Sequence, residues 1–508
     1  MIIKKISSII FFVFILLTGN AQKISYSTPD RDDIRSMDFE IIGKMNDHFL
    51  IYKSERAKYY ISVFDNEMKT LDRVSMDFLP DKIINEDIIA YKDFFYFIYQ
   101  YQRRNILYCM AAKIGADGKI VGDPIELDTT AISFAANNKI YTVINSEDKQ
   151  KIDIVKINSR NADVDIVSAS LFNSSLEKIS KSQASVPMPS HNDFLTELMV
   201  DNEGELAMLR AVGSSQNDNI NSITLITKAP FEDTLSYFDL KVNDIYLDNI
   251  RIKVDNINRR YLITSFYSKQ KRGNIDGLFC MLWDKNSKQL FSSAKTTFSD
   301  ELRSQAKNQG NIKTAFNDFY LQQIVMRRDG GFVIASESVY TSSRGNYNNR
   351  WDYFNGSPYL SPYSNYYYYN NPLGYYYPWY NSGFYNSQIN RYYADNIAIM
   401  SFDSSANMRW ANVIAKSQYD DNSDNFIGYG TMNTGSEVHF LFNEISRRTL
   451  ILTDQSVTPD GQLNHEPTLH NLDRDYQFMP QYIKQVGSRQ VILPCQFRNY
   501  VVFAKIEF

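Results

Sequence analysis

Three cysteines in 508 residues exclude a disulfide framework. Cys109, Cys280 and Cys495 are widely spaced, and each sits in an apolar, strand-like run (LYCMAA, LFCMLW, ILPCQF), so they read as small buried hydrophobes. Histidine is almost as scarce. Of His48, His191, His439, His465 and His470, only the last two are close, and a proline between them breaks any helical or finger ligand spacing. The run Asp420-Asp421-Asn422-Ser423-Asp424-Asn425 alternates carboxylates and amides as calcium loops do. It lacks glycine at the sixth position and has Thr431 where a bidentate glutamate belongs. No metal and no cofactor are therefore expected. Glycine-rich phosphate loops, dinucleotide fingerprints and the S-x-D-x-G-x-T-W turn of bladed hydrolases are missing too, and no catalytic residue can be nominated. The expectation is a non-enzyme, although a fold that gathers its site from distant segments would hide one.

Long apolar runs are also missing. Ile9–Leu17 (IIFFVFILL) is the longest, far short of the ~20 residues a membrane helix needs. Preceded by Lys4 and Lys5 and followed by Gly19-Asn20-Ala21, it reads as a secretory signal over residues 1–21, with the mature chain starting near Gln22. Without Lys4 and Lys5 the chain carries 52 basic and 58 acidic side chains, a balance of about −6 that speaks against nucleic acid, as does the lack of any basic patch with interleaved aromatics.

What the chain does have is a repeat. Windows of about 45 residues return to one pattern of four short strands, the third strongly apolar. One copy runs Phe39–Asn46, Phe49–Lys53, Tyr60–Asp65 and Thr70–Met76; the next Ile88–Lys92, Phe94–Gln100, Leu107–Ile114 and Ile120–Leu127. A third reads Ile132–Asn137, Ile140–Asn145, Ile152–Asn158 and Val164–Ser168, and further copies start at Glu197, Asn249, Gln322, Ile427 and Gln481. Turn signals recur at matching places: Asn202-Glu203-Gly204, Arg328-Asp329-Gly330-Gly331 and Thr434-Gly435-Ser436. The third strands (YISVFD, LFCMLWDK, IAIMSFD, VVFAKIEF) are apolar at consecutive positions, which predicts cover on both faces. Helical period is nearly absent, with Asp300–Asn317 the one plausible helix. The pattern predicts an all-β, single β-propeller of seven or eight four-stranded blades over residues 22–508. The final copy has only three strands, and Lys23–Ser27 is the candidate for the missing outer one. Two sandwich domains or an outer-membrane barrel are the alternatives; for a barrel the strands are too short and do not alternate.

Four segments stand out as insertions, and in a propeller they would all emerge on one face: 173–194, 267–275, 300–317 and 341–394. The last is the most unusual. Residues 340–393 hold 16 of the 36 tyrosines, and from Tyr353 to Asn390 no side chain is charged. Having no period, it is not a core element; a spacer and a docking element are the two readings. Tyrosine and tryptophan bring large contact area with a polar handle and little rotamer entropy, so the docking residues are expected to be Trp351, Tyr353, Tyr359, Tyr363, Tyr366, Tyr367, Tyr368, Tyr369, Tyr375, Tyr376, Tyr377, Trp379, Tyr380 and Tyr385. The same mixture suits a protein surface or a polysaccharide.

The GGFVIASE strand, the Tyr/Asn-rich insertion and the block IAIMSFDSSANMRWANVIAKSQ, with its Trp410 strand, carry a resemblance over residues 320–445. There the chain resembles a group of exported, propeller-like proteins of bacteria that possess the type 9 secretion system, the periplasmic plug subunit of that system's outer-membrane translocon among the relatives. The resemblance implies a periplasmic, non-enzymatic subunit that binds an outer-membrane complex, with no residue-level site carried over. A carbohydrate-binding or carbohydrate-active propeller, or a cell-surface adhesin, is the alternative expectation.

Overall fold

The computed structural model describes residues 23–508 apart from 30–36, 56–57, 134, 137–138, 162, 191, 214–218, 308–313, 344–345, 348–390, 422–423, 447–448, 466–475 and 499. Eight antiparallel sheets surround one axis, so the repeat is an all-β propeller of eight blades. From the axis outwards, blade 1 is Met37–Met45, His48–Glu55, Lys58–Phe64 and Thr70–Ser75. Blade 2 is Asn85–Ala90, Phe94–Arg103, Ile106–Gly115 and Ile125–Ala131. Blade 3 is Tyr141–Asn145, Lys151–Asn161, Val164–Asn173 and Lys178–Pro187. Blade 4 is Asp193–Val200, Leu206–Val212, Ser222–Lys228 and Ser236–Leu240. Blade 5 is Tyr246–Asp255, Arg260–Ser268, Gly277–Asp284 and Gln289–Thr297. Blade 6 is Phe319–Met326, Phe332–Ser343, Arg391–Phe402 and Met408–Asp420. Blade 7 is Tyr429–Asn433, Val438–Ser446, Thr449–Val457 and Leu463–His465.

Blade 8 closes the ring. Tyr476–Phe478 and Lys484–Gly487 share its innermost position, Gln490–Phe497 and Tyr500–Glu507 follow, and Lys23–Tyr26 completes it as the outer strand. Lys23 pairs with Glu507 and Tyr26 with Ala504, and the Ser27 N–H donates to the Phe503 carbonyl at 2.8 Å. The predicted closing strand is therefore the observed one.

The apolar third strands explain why the ring holds. In Gly277–Asp284, Leu278, Cys280 and Leu282 enter the core shared by blades 5 and 6, while Phe279, Met281 and Trp283 enter that of blades 4 and 5. Successive side chains of a strand point to opposite faces, so a strand apolar at every position feeds two cores. The buried side chains fall into eight clusters, one at each junction between neighbouring blades, blade 8 to blade 1 included. All three cysteines are free and buried in these layers, and burial pushes the Cys280 thiol up to about 12.

One predicted copy was out of register. Ile132 follows the end of blade 2's outer strand, and Tyr141–Asn145 is the innermost strand of blade 3, not its second. Residues 173–194 are consequently no loop: Lys178–Pro187, with the polar SKSQAS run, is blade 3's outer strand. An outer strand is buried on at most one face, so its polar sequence mimics a linker. The helix at 300–317 is also shorter than expected. Asp300–Gln305 is helical, capped by Ser299, whose hydroxyl accepts from the Leu302 N–H.

The face bearing the first-to-second and third-to-fourth turns is built on repeated local hydrogen bonds. The side-chain oxygens of Asp65, Asn173, Asp201 and Asp403 each accept backbone N–H groups two and four residues on. The residue three along is left-handed in each case: Met68, Leu176, Gly204 and Ala406, with φ of 61°, 61°, 92° and 63°. These local bonds are the reason Asp and Asn punctuate the repeat.

Candidate functional site

The loop segments were expected on the face where second strands pass into third strands, and the described ones lie there: 269–276 joins the second and third strands of blade 5, and 298–307 and 314–318 belong to the connection from blade 5 to blade 6. Blade 6 departs most from its neighbours on this face. Its second, third and fourth strands have 12, 12 and 13 residues, against 9, 8 and 9 in blade 5. Three or four extra residues at 3.3 Å each raise a three-stranded tongue roughly 10–13 Å above the adjoining rim. The insertion predicted at 341–394 is accordingly narrower, since residues 341–343 and 391–394 are strand. Trp351 to Tyr385, all fourteen expected docking residues, lie outside the described residues. Asn346–Tyr347 pairs back on Ser342–Ser343.

The tongue begins at a double irregularity. Register shifts between Glu337 and Val339 and again between Asp395 and Ile397, so the apolar alternation of the ring stops there. Bulges re-aim side chains, and here they turn a polar set inward: Glu337, Ser338, Asp395 and Asn396 are all buried. At their centre is Lys416, whose side chain is 0 % exposed. Its Nζ lies 2.7 Å from Glu337 Oε1 and donates to the Ala394 carbonyl at 2.8 Å and to Gln418 Oε1 at 2.7 Å. Burial holds the Lys416 ammonium below its ordinary range against the pull of Glu337, and burial raises the Glu337 and Asp395 carboxyls.

This buried group ties the tongue to its surroundings. Asn396 Nδ2 donates to the Ala306 carbonyl just past the helix, and Gln418 Nε2 to the Asn443 carbonyl of blade 7. Asn443 Nδ2 in turn donates to the carbonyls of Phe426 and of Phe478 in blade 8. A charge taken out of water is tolerated only when paired and hydrogen-bonded, and this one is both. The tongue thus stands on a fixed footing.

Above the footing a row of rings crosses the tongue in register: Tyr340 faces Tyr393, and Tyr393 faces Tyr419. Tyr340 and Tyr393 stack at 4.5 Å and 10°, and Tyr419 follows at 6.4 Å. The row runs from buried to open, Tyr340 being 1 % and Tyr419 52 % exposed. Arg391 caps it, with its guanidinium carbon 4.4 Å from the Tyr419 ring centroid and an ion pair to Asp421. The Tyr340 hydroxyl donates to Asp395 Oδ2 at 2.7 Å, which joins the row to the buried network. An amphipathic aromatic surface with a cation at its edge is suited to recognition. Sequence reasoning missed Arg391, Tyr393, Tyr419 and Lys416; the signal was strand length, because SESVYTSS and RYYADNIAIMSF each continue a strand beyond what one blade needs.

The other candidates fare differently. Of the Asp420–Asn425 run, Asn422 and Ser423 lie outside the described residues; Asp420 ends a strand, Asp421 pairs with Arg391, and Asp424 is enclosed, its carboxyl raised to about 6 by burial. His439 Nδ1 bonds Asp454 in the interior of blade 7, whereas His191 and His470 are outside the described residues. Among the described residues, no cluster of His, Cys, Asp or Glu could hold a metal. The opposite face, which bears the tight turns, also exposes apolar side chains. Ile120, Val121, Phe231 and Ile257 on its turns, and Leu71, Ile125, Leu290 and Phe291 at the adjoining strand starts, are exposed.

No protein-family model matches the chain, and no curated protein matches it either. Among solved structures it is similar to prolyl oligopeptidase B from Galerina marginata bound to a 35mer substrate, at 9 % identity and TM-score 0.41, covering 92 % of this chain and 56 % of that one. It is also similar to the polysaccharide lyase Uly1 (8 %, TM-score 0.37, 83 % and 89 % covered) and to a PL25 ulvan lyase (8 %, 0.38, 82 % and 90 %). The chain spans little more than half the length of the prolyl oligopeptidases it matches. At these values the likenesses bear on neither activity nor substrate.

Proposed function

We propose that this chain is a non-enzymatic, periplasmic interaction subunit that docks onto an outer-membrane protein complex through the tongue of blade 6 and the uncharged tyrosine segment it carries. On this reading it resembles a translocon plug in role. The observation that carries the proposal is the footing: three strands are extended beyond the ring and anchored on a buried lysine–glutamate pair, and they carry a segment rich in contact residues and free of charge from Tyr353 to Asn390. A rigid scaffold presenting an adaptable loop is the usual division of labour in recognition. The ring supplies the scaffold, and residues 353–390 supply uncharged, tyrosine-rich contact chemistry.

Affinity purification of the tagged chain from detergent-solubilised envelopes tests this. A stoichiometric outer-membrane partner is expected, retained by the native chain and lost when residues 348–390 are replaced by a short Gly/Ser linker. Recovery of the chain alone would sink the proposal. Undiminished recovery of the partner by the linker variant would reduce the tyrosine segment to a spacer.

A further inference from the structure

A second aromatic row stands on the same face, on blade 2, and the tyrosine insertion has no part in it. The second and third strands of blade 2 have 10 residues each, whereas those of blade 1 have 8 and 7. Phe95, Phe97 and Tyr99 occupy alternate positions and are buried against Tyr52 and Ile61 of blade 1. Tyr101 continues the same alternation past the end of the blade 1 strands and is partly exposed. Tyr108, its cross-strand partner, is partly exposed as well, and the two rings stack at 5.0 Å and 10°. Tyr99 backs the pair, 6.1 Å from Tyr101 at 22°.

The surroundings of this stack narrow the chemistry that would complement it. Arg103 lies two residues beyond Tyr101, on the same side of the strand, and Glu126 lies opposite Met110; both are exposed, and both are within electrostatic reach of the Tyr101 phenol. Among the described residues, neither the Tyr101 nor the Tyr108 hydroxyl makes a hydrogen bond, and neither Arg103 nor Glu126 makes an ion pair. A purely apolar partner would strand these donors and acceptors. A simple cation would meet Arg103 and a simple anion Glu126. What satisfies all of them is a neutral polyhydroxylated ligand with flat, CH-bearing faces: its faces stack on the rings, and its vicinal hydroxyls take a donor from Arg103 and an acceptor from Glu126.

We infer that the upper edge of blade 2 is a saccharide-binding platform, on which Tyr101 and Tyr108 stack against the sugar rings of a neutral polysaccharide while Arg103 and Glu126 bind their hydroxyls. The site is distinct from blade 6, and its success or failure is independent of the docking reading above.

Affinity electrophoresis of the full chain through gels containing laminarin, hydroxyethyl cellulose or xylan tests it, with lipopolysaccharide as the charged comparison. At least one neutral polymer should retard the chain. The double variant Tyr101→Ala/Tyr108→Ala should weaken that retardation at least tenfold, and Tyr108→Phe, which keeps the ring, should weaken it less. Tyr419→Ala on blade 6 should leave it unchanged. Arg103→Ala/Glu126→Ala, both at exposed positions, should also reduce retardation and serves where the aromatic variant melts early. Free migration in all three neutral gels overturns the inference. So does equal retardation of native and doubly substituted chains, or retardation by lipopolysaccharide only.

Discussion

Lys416→Met is the sharpest test of how the tongue is held. The substitution keeps most of the apolar stem and removes the ammonium, so Glu337 is left buried near Asp395 with no counter-charge, and the Ala394 carbonyl and Gln418 Oε1 lose a donor. Breaking a buried pair from one side costs about 3–5 kcal/mol. Unfolding entropy near 2.1 cal/mol/K per residue over roughly 400 described residues makes each kcal/mol worth about 1.2 °C in Tm, so a fall of about 4–6 °C is expected. Removing both charges in Lys416→Met/Glu337→Met should recover most of it, because a matched apolar pair is often no less stable than the ion pair it replaces. The single variant also has a signature in pH. Burial already raises the Glu337 carboxyl, and without Lys416 nothing opposes that rise. The folded state then holds a proton that the unfolded state releases, so the deficit should shrink as pH falls from 8 to 5. Calorimetric scans of the three proteins at both pH values decide it. A fall below 1 °C, or a double variant no better than the single one, would falsify the view of Lys416 as the tongue's footing.

Three further outcomes follow from particular contacts. Glu40, near Lys484, Asp87 and Glu86, is raised by burial to about 7, and burial raises Asp153 likewise to about 7. Their folded values exceed their unfolded ones, so each contributes stability that is present at low pH and lost as pH rises through 7, at most about 3 kcal/mol for Glu40 and about 4 kcal/mol for Asp153. Tm should therefore be higher at pH 5.5 than at pH 8, and Glu40→Gln/Asp153→Asn should flatten that slope in thermal scans; an unchanged slope would count against it. Gly430→Ala places a Cβ 1.9 Å from Ile483 Cγ2 and 2.4 Å from the Pro480 carbonyl oxygen, whereas Gly435→Ala meets open space and bears only a left-handed φ of 89°. Urea midpoints should show roughly 2–3 kcal/mol lost for the first and about 1 kcal/mol for the second. Ser27→Ala removes the hydroxyl that accepts the buried Phe503 N–H at 3.0 Å, and should cost about 1–2 kcal/mol while deuterium exchange quickens along Tyr500–Glu507.

Much of this fold is written locally. Apolar third strands name the two-sided cores, Asp and Asn name the turns, and a final copy one strand short named Lys23–Ser27 as its completion, observed as Lys23–Tyr26. Blade 3 shows the limit of such reading. Its outer strand, Lys178–Pro187, buries only a few positions and so has a linker's composition, while the connector after blade 2 begins Ile132-Ser133-Phe134-Ala135 and imitates a strand. Lys416 was illegible for another reason. Its partner Glu337 lies 79 positions earlier, and a lysine in a polar outer strand gives no sign that a bulge elsewhere will close over it. Site residues that depend on register between distant strands cannot be seen in a window of neighbours.

Strand length is what links the two proposed recognition surfaces to the core. Within a blade, alternate aromatic side chains fill the junction with the next blade: Phe95, Phe97 and Tyr99 do so in blade 2. Whether the next residue in that series is core or surface depends only on whether the neighbouring blade reaches as high. Blade 1 stops two residues short beside blade 2's second strand, so Tyr101 and Tyr108 emerge; blade 6 outruns blade 5 by three or four residues, so Tyr393 and Tyr419 emerge. The buried members of each row hold the exposed ones in place, and this pre-organises the platform at little entropic cost. Blades 2 and 6 are opposite one another in a ring of eight, so the two rows leave the central mouth of this face between them. If both proposals hold, a large partner seated on blade 6 and a polymer on blade 2 do not compete for the same surface, and occupancy of one should leave the affinity of the other unchanged.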